Sequence, residues 1–223
     1  KSRARVLKRT IVVHTDAVQG AGFLDIGVDT LGVDTLSLSA HKFYGPKGVG
    51  ALYVKRGTPL EPQIVGGGQE RGLRSGTENV AGTIGFAVAI ERATAHRKYE
   101  RDRLAMLRDR LQAKLMGAFS EAVVSGHQKH RLAGHLHISF PGLDAERVLF
   151  ALEARNILVA TGSACAANKG TRSHVLTAIG LAPEVADGSL RLTLGHGSND
   201  DNIDVAAAAI IEEVKREYAR AAQ

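Results

Sequence analysis

The stretch Thr35-Leu36-Ser37-Leu38-Ser39-Ala40-His41-Lys42 carries the clearest signal for the fold of this chain. It predicts a short strand over Thr35–Ala40 that leads directly into a histidine and a lysine. Similar short apolar strands are predicted at Thr10–His14 and Gly50–Lys55. Because such strands alternate with helical segments along the chain, the sequence predicts an α/β architecture.

The second half of the chain predicts more helices and strands. A helix is expected from Asn79 to about Phe119, where four leucines recur at spacings of three and four and form one apolar stripe: Leu104, Leu107, Leu111 and Leu115. The elements expected after it are a strand with Leu136, Ile138 and Phe140, a helix over Ala145–Arg155, a strand over Ile157–Thr161, a helix over Ser173–Ile179, a strand with Leu190, Leu192 and Leu194, and a helix over Asp201–Ala221 capped by Ser198 or Asn199. We place a boundary inside the long helical stretch, which divides the chain into residues 1–96 and 97–223.

Composition limits the class of protein. The chain has 223 residues, 44% of them hydrophobic, and a net charge of +6, and no apolar run is long enough to span a membrane. The basic residues before Thr10 lack the layout of a secretory signal, and we interpret them as the end of a helix. A single cysteine excludes a disulfide framework and a multi-cysteine zinc site, and it fits a reducing, cytoplasmic compartment.

Residues with chemical potential lie where two predicted strands end. Asp16 and Gln19 follow the first strand, and Ser39, His41 and Lys42 close the second. Ligands of open α/β sheets gather at the carboxyl ends of strands. Each residue alone is weak evidence, since a lysine after a strand is ordinarily a surface lysine. Together they supply an acid for a pyridinium nitrogen, an amine for an imine, and donors for a phosphate, which favours pyridoxal 5'-phosphate (PLP) as a cofactor.

Two glycine-rich segments are also unusual. Gly45–Gly50 lacks the Gly-Lys-Ser/Thr ending of a Walker A loop, and we interpret it as a tight turn that lets backbone pass close to a cofactor. Gly66–Asn79 combines glycines and arginines with a Ser-Gly-Thr sequence before a helix, which is a ready anion site. The alternative for this second segment is a flexible surface loop with a threonine cap.

Cys165 lies among small and polar residues, with Lys169 and Arg172 nearby. A free cysteine is more often a small buried hydrophobic residue. A loop with two cations instead favours the thiolate form, so the setting favours a functional cysteine.

Three motifs in order resemble the cysteine desulfurases of the NifS/IscS type, which are fold-type-I, class V aminotransferase-like PLP enzymes. They are Ser39-Ala40-His41-Lys42 with Tyr44-Gly45-Pro46-Lys47-Gly48, then Arg74-Ser75-Gly76-Thr77-Glu78-Asn79, then Gly162-Ser163-Ala164-Cys165. The short loop around Cys165 is similar to that of the iron–sulfur-assembly branch. The resemblance implies that residues 1–96 are the C-terminal part of a large PLP-binding domain and that 97–223 form a small C-terminal domain with the catalytic cysteine loop.

The resemblance also implies roles for individual residues. Lys42 would hold PLP as a Schiff base, and Cys165 would accept sulfur from L-cysteine as a persulfide and leave L-alanine. The expected cofactor contacts are Asp16 to the pyridine nitrogen, Gln19 to the phenolic oxygen, Ser39 and His41 to the phosphate, and Thr77 to the phosphate from the partner subunit of a homodimer. Arg191, predicted on the polar face of its strand, would bind the substrate carboxylate. An iron–sulfur scaffold or another protein would receive the sulfur.

The chain departs from this family at its N-terminus. Family members carry there a glycine/threonine phosphate-binding turn, a histidine that stacks on the cofactor and an asparagine near its oxygen. We therefore expect a fragment, a proteolysed product, or one of two chains, the other being a separate N-terminal chain of the same enzyme. Two alternatives stay open: a selenocysteine lyase or related PLP enzyme, and a non-catalytic module that docks sulfur-transfer partners through its basic surface.

Overall fold

Two separate three-stranded sheets organise the residues that the computed structural model describes, which are 11–162 and 172–223. The chain divides into two units, Lys1–Lys98 and Tyr99–Gln223, and each unit has one of the sheets. Helices accompany the strands in both units, so the predicted α/β architecture is confirmed.

The sheet of the first unit has the order β1-β2-β3, with β1 at His14–Asp16, β2 at Thr35–Ser39 and β3 at Gly50–Val54. β1 and β2 are parallel, and Asp16 is the register partner of Ser37. β2 and β3 are antiparallel, with Ser39 opposite Gly50. The parallel pair therefore places the carboxyl ends of β1 and β2 at the same edge of the sheet, where their side chains can serve one ligand.

Of the strand predicted at Thr10–His14, Thr10 lies outside the described residues, and among residues 11–14 only His14 belongs to β1, so the predicted bounds were wrong there. The carboxylate of Asp34 accepts a hydrogen bond from the Val13 backbone nitrogen at 3.0 Å. The Val13 carbonyl accepts from the backbone nitrogens of Asp34 and Thr35 at 2.9 and 3.2 Å. Val13 is thus bound to the turn that precedes β2, and regular pairing starts one residue later.

The two faces of this sheet differ in polarity. Leu36, on β2, is 2% exposed and packs with Ala17 and Val33. On the opposite face Nδ1 of His14 and Oγ1 of Thr35 lie 2.8 Å apart in a hydrogen bond. This division follows from the two-residue period of a strand, which sends Thr35, Ser37 and Ser39 to one side and leucines to the other.

Helix α1, Val28–Leu31, is short, whereas α2 extends over Val80–Ala118 and continues from the first unit into the second. In the first unit Phe86 of α2 contacts Phe43 edge to face, with ring centroids 5.3 Å apart, beside the buried Ala89. Within the described residues no helix is both long and apolar enough to cross a membrane.

The sheet of the second unit is antiparallel, with the order β4-β5-β6: β4 at Val123–Val124, β5 at His135–Ser139 and β6 at Ser189–Thr193. One face is apolar and buried, and it is formed by Leu136, Ile138, Leu190 and Leu192. Further apolar side chains buried in this unit are Leu104, Leu107, Leu111 and Leu115 of α2 and Ile203, Ala207, Ile210 and Val214 of the last helix. The predicted leucine stripe is thus buried, as its spacing indicates.

The remaining helices of this unit are α3 at Ala145–Glu153, α4 at His174–Ala178, α5 at Pro183–Asp187 and α6 at Asp200–Ala221. Asn199, rather than Ser198, caps α6. The Asn199 side chain accepts a hydrogen bond from the Asn202 backbone nitrogen, and the Asn202 side chain accepts one from the Asn199 backbone nitrogen, both at 2.9 Å. Ser198 Oγ accepts instead from the Gly195 backbone nitrogen at 3.0 Å.

The strand predicted at Ile157–Thr161 is not formed. Only Ala160 pairs, in an isolated antiparallel bridge with Arg191. The chain leaves α3 through Asn156 in the left-handed region, with φ of 58°, and meets β6 at this one residue. Strand β4 and helices α1 and α5 were not predicted, because two to five residues carry too little periodicity to distinguish them from loop.

Candidate active site

The first group of candidate residues lies at the carboxyl end of β1. Asp16 is the last residue of the strand and is exposed, and its Oδ1 accepts the Val18 backbone hydrogen bond at 2.9 Å. The Ala17 backbone nitrogen donates to the Ser37 carbonyl at 3.0 Å, which fixes the turn on the neighbouring strand. Gln19 is exposed within this turn. A carboxylate oriented through one oxygen can still accept from a protonated ring nitrogen through the other.

The second group lies in the turn that follows β2. Residues Ala40–Phe43 form a 3₁₀-helix, in which residues three apart share a face. Ala40 and Phe43 are buried, so His41 and Lys42 are exposed on the opposite side. Oγ of Ser39 and Nδ1 of His41 lie 2.9 Å apart in a hydrogen bond. The buried pair thus holds a hydroxyl, an imidazole and a primary amine at the edge where β1 also ends.

The glycines beside this turn serve the protein's own packing. A Cβ on Gly45 would lie 2.9 Å from the Ala89 side chain and 3.0 Å from that of Ala40. A Cβ on Gly50 would lie 2.6 Å from the Leu38 carbonyl oxygen. Close packing on β2 and α2 therefore accounts for Gly45 and Gly50, and the close approach of this turn to a cofactor stays a prediction.

The arginine-rich segment before α2 is held by its own residues. Ser75 is 5% exposed, and the Arg74 guanidinium donates to its carbonyl at 2.6 Å. Asn79, not Thr77, caps the helix, because its side chain accepts from the Gly82 backbone nitrogen at 2.9 Å. Thr77 is left exposed before the helix. Its role toward a phosphate stays a prediction.

Arg191 lies in the middle of β6 and is half-buried. His137 of β5 is its direct cross-strand partner, and Ala160 pairs with it from the other side. Burial lowers the pKa of His137 below its usual value, and the positive charge of Arg191 lowers it further. The pKa of His135 is lowered by the same two causes in the same order. We did not anticipate these histidines from the sequence, although their alternation with Leu136 indicates one shared face.

Cys165 lies outside the described residues, so its predicted role is tested by no contact. The described residue Arg172, expected to favour a thiolate, forms a bidentate ion pair with Asp187 at 2.7 and 2.6 Å. The hydrogen bonds from Arg172 hold the pKa of the Asp187 carboxyl below its usual value. Much of the charge of Arg172 is therefore compensated within the second unit by Asp187, and the predicted effect of this cation on the Cys165 thiol stays a prediction.

A family model described as aminotransferase class-V matches residues 2–205 of this chain. The chain belongs to this family, whose members are PLP-dependent fold-type-I enzymes. It is 48% identical over 185 residues to a cysteine desulfurase IscS of Dictyoglomus turgidum, covering 83% of this chain and 47% of that protein. It is 44% identical over 211 residues to a cysteine desulfurase IscS of Clostridium botulinum strain Hall, covering 94% of this chain and 53% of that protein.

Solved structures agree with this assignment. A NifS-like protein superposes with a TM-score of 0.85 at 36% identity, covering 95% of this chain and 54% of the other. A NifS-like protein from Rickettsia africae gives a TM-score of 0.83 at 31% identity, with 97% and 56% coverage. The chain thus spans about half the length of the relatives it matches. The expected resemblance and the fold-type-I class are confirmed.

Proposed function

We propose that this chain carries the cofactor lysine and the sulfur-accepting cysteine of a PLP-dependent cysteine desulfurase. The reaction would convert L-cysteine to L-alanine and leave a persulfide on Cys165. The observation that supports this proposal most is the arrangement at the end of the first sheet. There the exposed carboxylate of Asp16 ends β1, and the Ser39–His41 hydrogen bond and the Lys42 amine end the parallel β2.

The residues of this edge fit the chemical groups of PLP. Ser39 and His41 would donate to the phosphate, Gln19 would contact the phenolic oxygen, and Asp16 would keep the ring nitrogen protonated. When bound, PLP supplies an electron sink for the bonds of the substrate α-carbon. Lys42 would hold the cofactor covalently and, once its amine is released by the substrate, would remove the α-proton as a base.

The second unit would supply the substrate and sulfur contacts. Arg191 would bind the carboxylate of L-cysteine, since a guanidinium matches a carboxylate with two parallel hydrogen bonds. The Cys165 thiolate would attack the substrate sulfur. A sulfur–sulfur bond forms as the carbon–sulfur bond breaks, and the substrate carbon retains the electron pair and takes a proton to become alanine.

We also propose the partners of the reaction. A homodimer would bring Thr77 of one subunit to the phosphate bound by the other. A separate N-terminal chain of the same enzyme, carrying the rest of the large domain, would be a further partner where that part is not joined to this chain. The persulfide sulfur would pass to an iron–sulfur scaffold or another acceptor in the reducing cytoplasm.

An absorbance and product assay tests this function. PLP is added to the purified chain, and excess cofactor is removed. With dithiothreitol present to reduce the persulfide and release its outer sulfur, we expect a yellow protein that consumes L-cysteine and forms alanine and sulfide in equal amounts. Cys165→Ala should keep the colour and lose sulfide formation, and Lys42→Ala should yield no cofactor adduct after borohydride reduction. A colourless chain that PLP cannot reconstitute would refute the enzymatic proposal for this polypeptide.

A further inference from the structure

The polar face of the second sheet contains buried groups that lack hydrogen-bond partners. In the described part of the chain, such side-chain atoms belong, apart from Nε of Arg131, to four residues of this region: Ser125, His135, His137 and Ser139. Both ring nitrogens of His137 are among them. Buried polar groups in folded proteins are nearly always hydrogen-bonded, so a concentration of groups without protein partners marks a place that can form hydrogen bonds with a further molecule.

Arg191 lies beside this group. It faces His137 in the register of β5 and β6, and directly opposed residues of an antiparallel pair point to the same face. In the described residues no acidic side chain lies within ion-pair distance of its guanidinium, although Arg103 and Arg108, whose side chains are 20% and 9% exposed, each have one. A half-buried guanidinium and an unpartnered imidazole therefore share one face of one sheet.

The backbone of Arg191 is fixed independently of its side chain. Its nitrogen donates to the Ala160 carbonyl at 2.6 Å, and its carbonyl accepts from the Ala160 nitrogen at 3.2 Å. On the other side of His137, the Ser125 backbone nitrogen donates to the His137 carbonyl at 3.1 Å. The positions of both side chains are thus set by a continuous set of backbone hydrogen bonds within the second unit.

The chemistry of the pair fits a carboxylate. A guanidinium supplies the charge and two parallel donors. A neutral imidazole always has one N–H, and burial together with Arg191 favours the neutral form by lowering the His137 pKa. The imidazole N–H can therefore donate to the same anion without adding a second full charge to a half-buried site.

We propose that His137 and Arg191 bind one carboxylate together, with Arg191 pairing with its charge and His137 donating a further hydrogen bond. This inference rests on the proposed role of Arg191 toward the carboxylate of an amino-acid substrate, and it adds His137 as a second substrate-binding residue. His135, two register pairs away on the same face and opposite Thr193, has no such role and serves as a matched control.

Histidine NMR on the isotopically labelled chain tests binding directly. L-alanine, acetate and L-alaninamide are added separately, and the His137 ring signals are followed against pH. We expect L-alanine and acetate to raise the His137 pKa, because a nearby anion favours imidazolium, and alaninamide, which lacks the carboxylate, to leave it unchanged. Identical titration curves with and without saturating L-alanine would mean that water alone meets the ring nitrogens, and the inference would be wrong.

Variants of the PLP-loaded protein separate this inference from the proposed function. We expect His137→Phe to raise KM for L-cysteine about tenfold with little change in kcat, as for loss of one hydrogen bond to a charged group. His137→Gln, which retains an N–H donor, should restore most of the affinity, and His135→Phe should leave KM unchanged.

The outcomes distinguish the two claims. If Arg191→Ala weakens L-alanine binding but His137→Phe does not, His137 has no place in the site and the role of Arg191 stands. If Arg191→Ala binds L-alanine as tightly as the unaltered protein, the proposed carboxylate role falls and the role of His137 with it. If His137→Phe fails to fold, the NMR titration of the unaltered chain decides whether His137 contacts the bound carboxylate.

Discussion

Ser39 and His41 are joined by a 2.9 Å hydrogen bond between Oγ and Nδ1 at the end of β2. The bond orients an imidazole and a hydroxyl on the exposed side of a turn whose buried side is Ala40 and Phe43. Two side chains that could each donate to a phosphate are thereby ordered before any ligand is present. Order of this kind reduces the entropy that is lost on binding.

We expect Ser39→Ala to weaken PLP binding. The change removes one donor to the phosphate and releases the imidazole of His41, a loss of about 1.5–3 kcal/mol for a hydrogen bond to a charged group. An absorbance titration should show a PLP Kd raised about tenfold or more. Ser37→Ala is the matched control on the same face of β2, and equal Kd values for the two variants would contradict the assignment of Ser39.

Gly45→Ala should destabilise the first unit by about 1–3 kcal/mol, because the added methyl group meets Ala89 and Ala40 in a closely packed region. Gly117→Ala provides the comparison, since a Cβ there meets nothing within 4 Å and alanine favours a helix by about 1 kcal/mol over glycine. Urea unfolding should give a lower midpoint for Gly45→Ala and a midpoint equal to or above the wild type for Gly117→Ala.

Glu100→Gln should destabilise the second unit by about 1 kcal/mol. Glu100 accepts hydrogen bonds from the Arg103 guanidinium at 2.8 and 3.0 Å, and Arg103 also donates to the Gly195 and Ser198 carbonyls before α6. The bonds from Arg103 hold the pKa of Glu100 below its ordinary value of 4.5. Because the folded chain favours the carboxylate, this stabilisation is present above about pH 4.5 and is lost as the pH falls through the lower folded pKa.

Urea midpoints measured across this pH range check the prediction. The difference between the wild type and Glu100→Gln should shrink as the solution is acidified. Asp102→Asn serves as the control, because the Arg101–Asp102 pair on the same helix is half exposed, at 50% and 55%, and solvent screens it. A constant difference at all pH values would show that packing, and not charge, accounts for the effect.

The two histidines of β5 should make the chain less stable in mild acid. Burial and then the charge of Arg191 lower the pKa values of His135 and His137 below 6.5, so below that pH the unfolded chain binds more protons than the folded one. Stability is therefore full above about pH 6.5 and declines as the pH falls toward the folded pKa values. Replacing both histidines by glutamine should flatten the dependence of the urea midpoint between pH 7.5 and 5. An equally steep decline of the urea midpoint in the double variant would show that other titrating groups, and not these two histidines, cause the loss of stability.

Local sequence was sufficient for the parts of the site that lie within one element. The strand at Thr35–Ser39 and the exposed Lys42 follow from alternation and from a turn of a few residues. The bounds of β1 could not be predicted, since they depend on the carboxylate of Asp34, which lies far along the sequence from Val13. Likewise, only the register of β5 against β6 places His137 beside Arg191, and no pattern within either strand specifies it.

The single bridge between Ala160 and Arg191 has a consequence for protein engineering. Both backbone groups of Arg191 are bonded to Ala160, and β5 pairs along the opposite side of β6, so the strand is held whatever side chain it presents there. Given the role that we propose for Arg191, residue 191 is therefore a position where substrate preference could be redesigned with little cost to the backbone hydrogen bonds of β6. Libraries that vary residues 191 and 137 together would test binding of other substrate groups, such as neutral amides in place of carboxylates, on the same backbone.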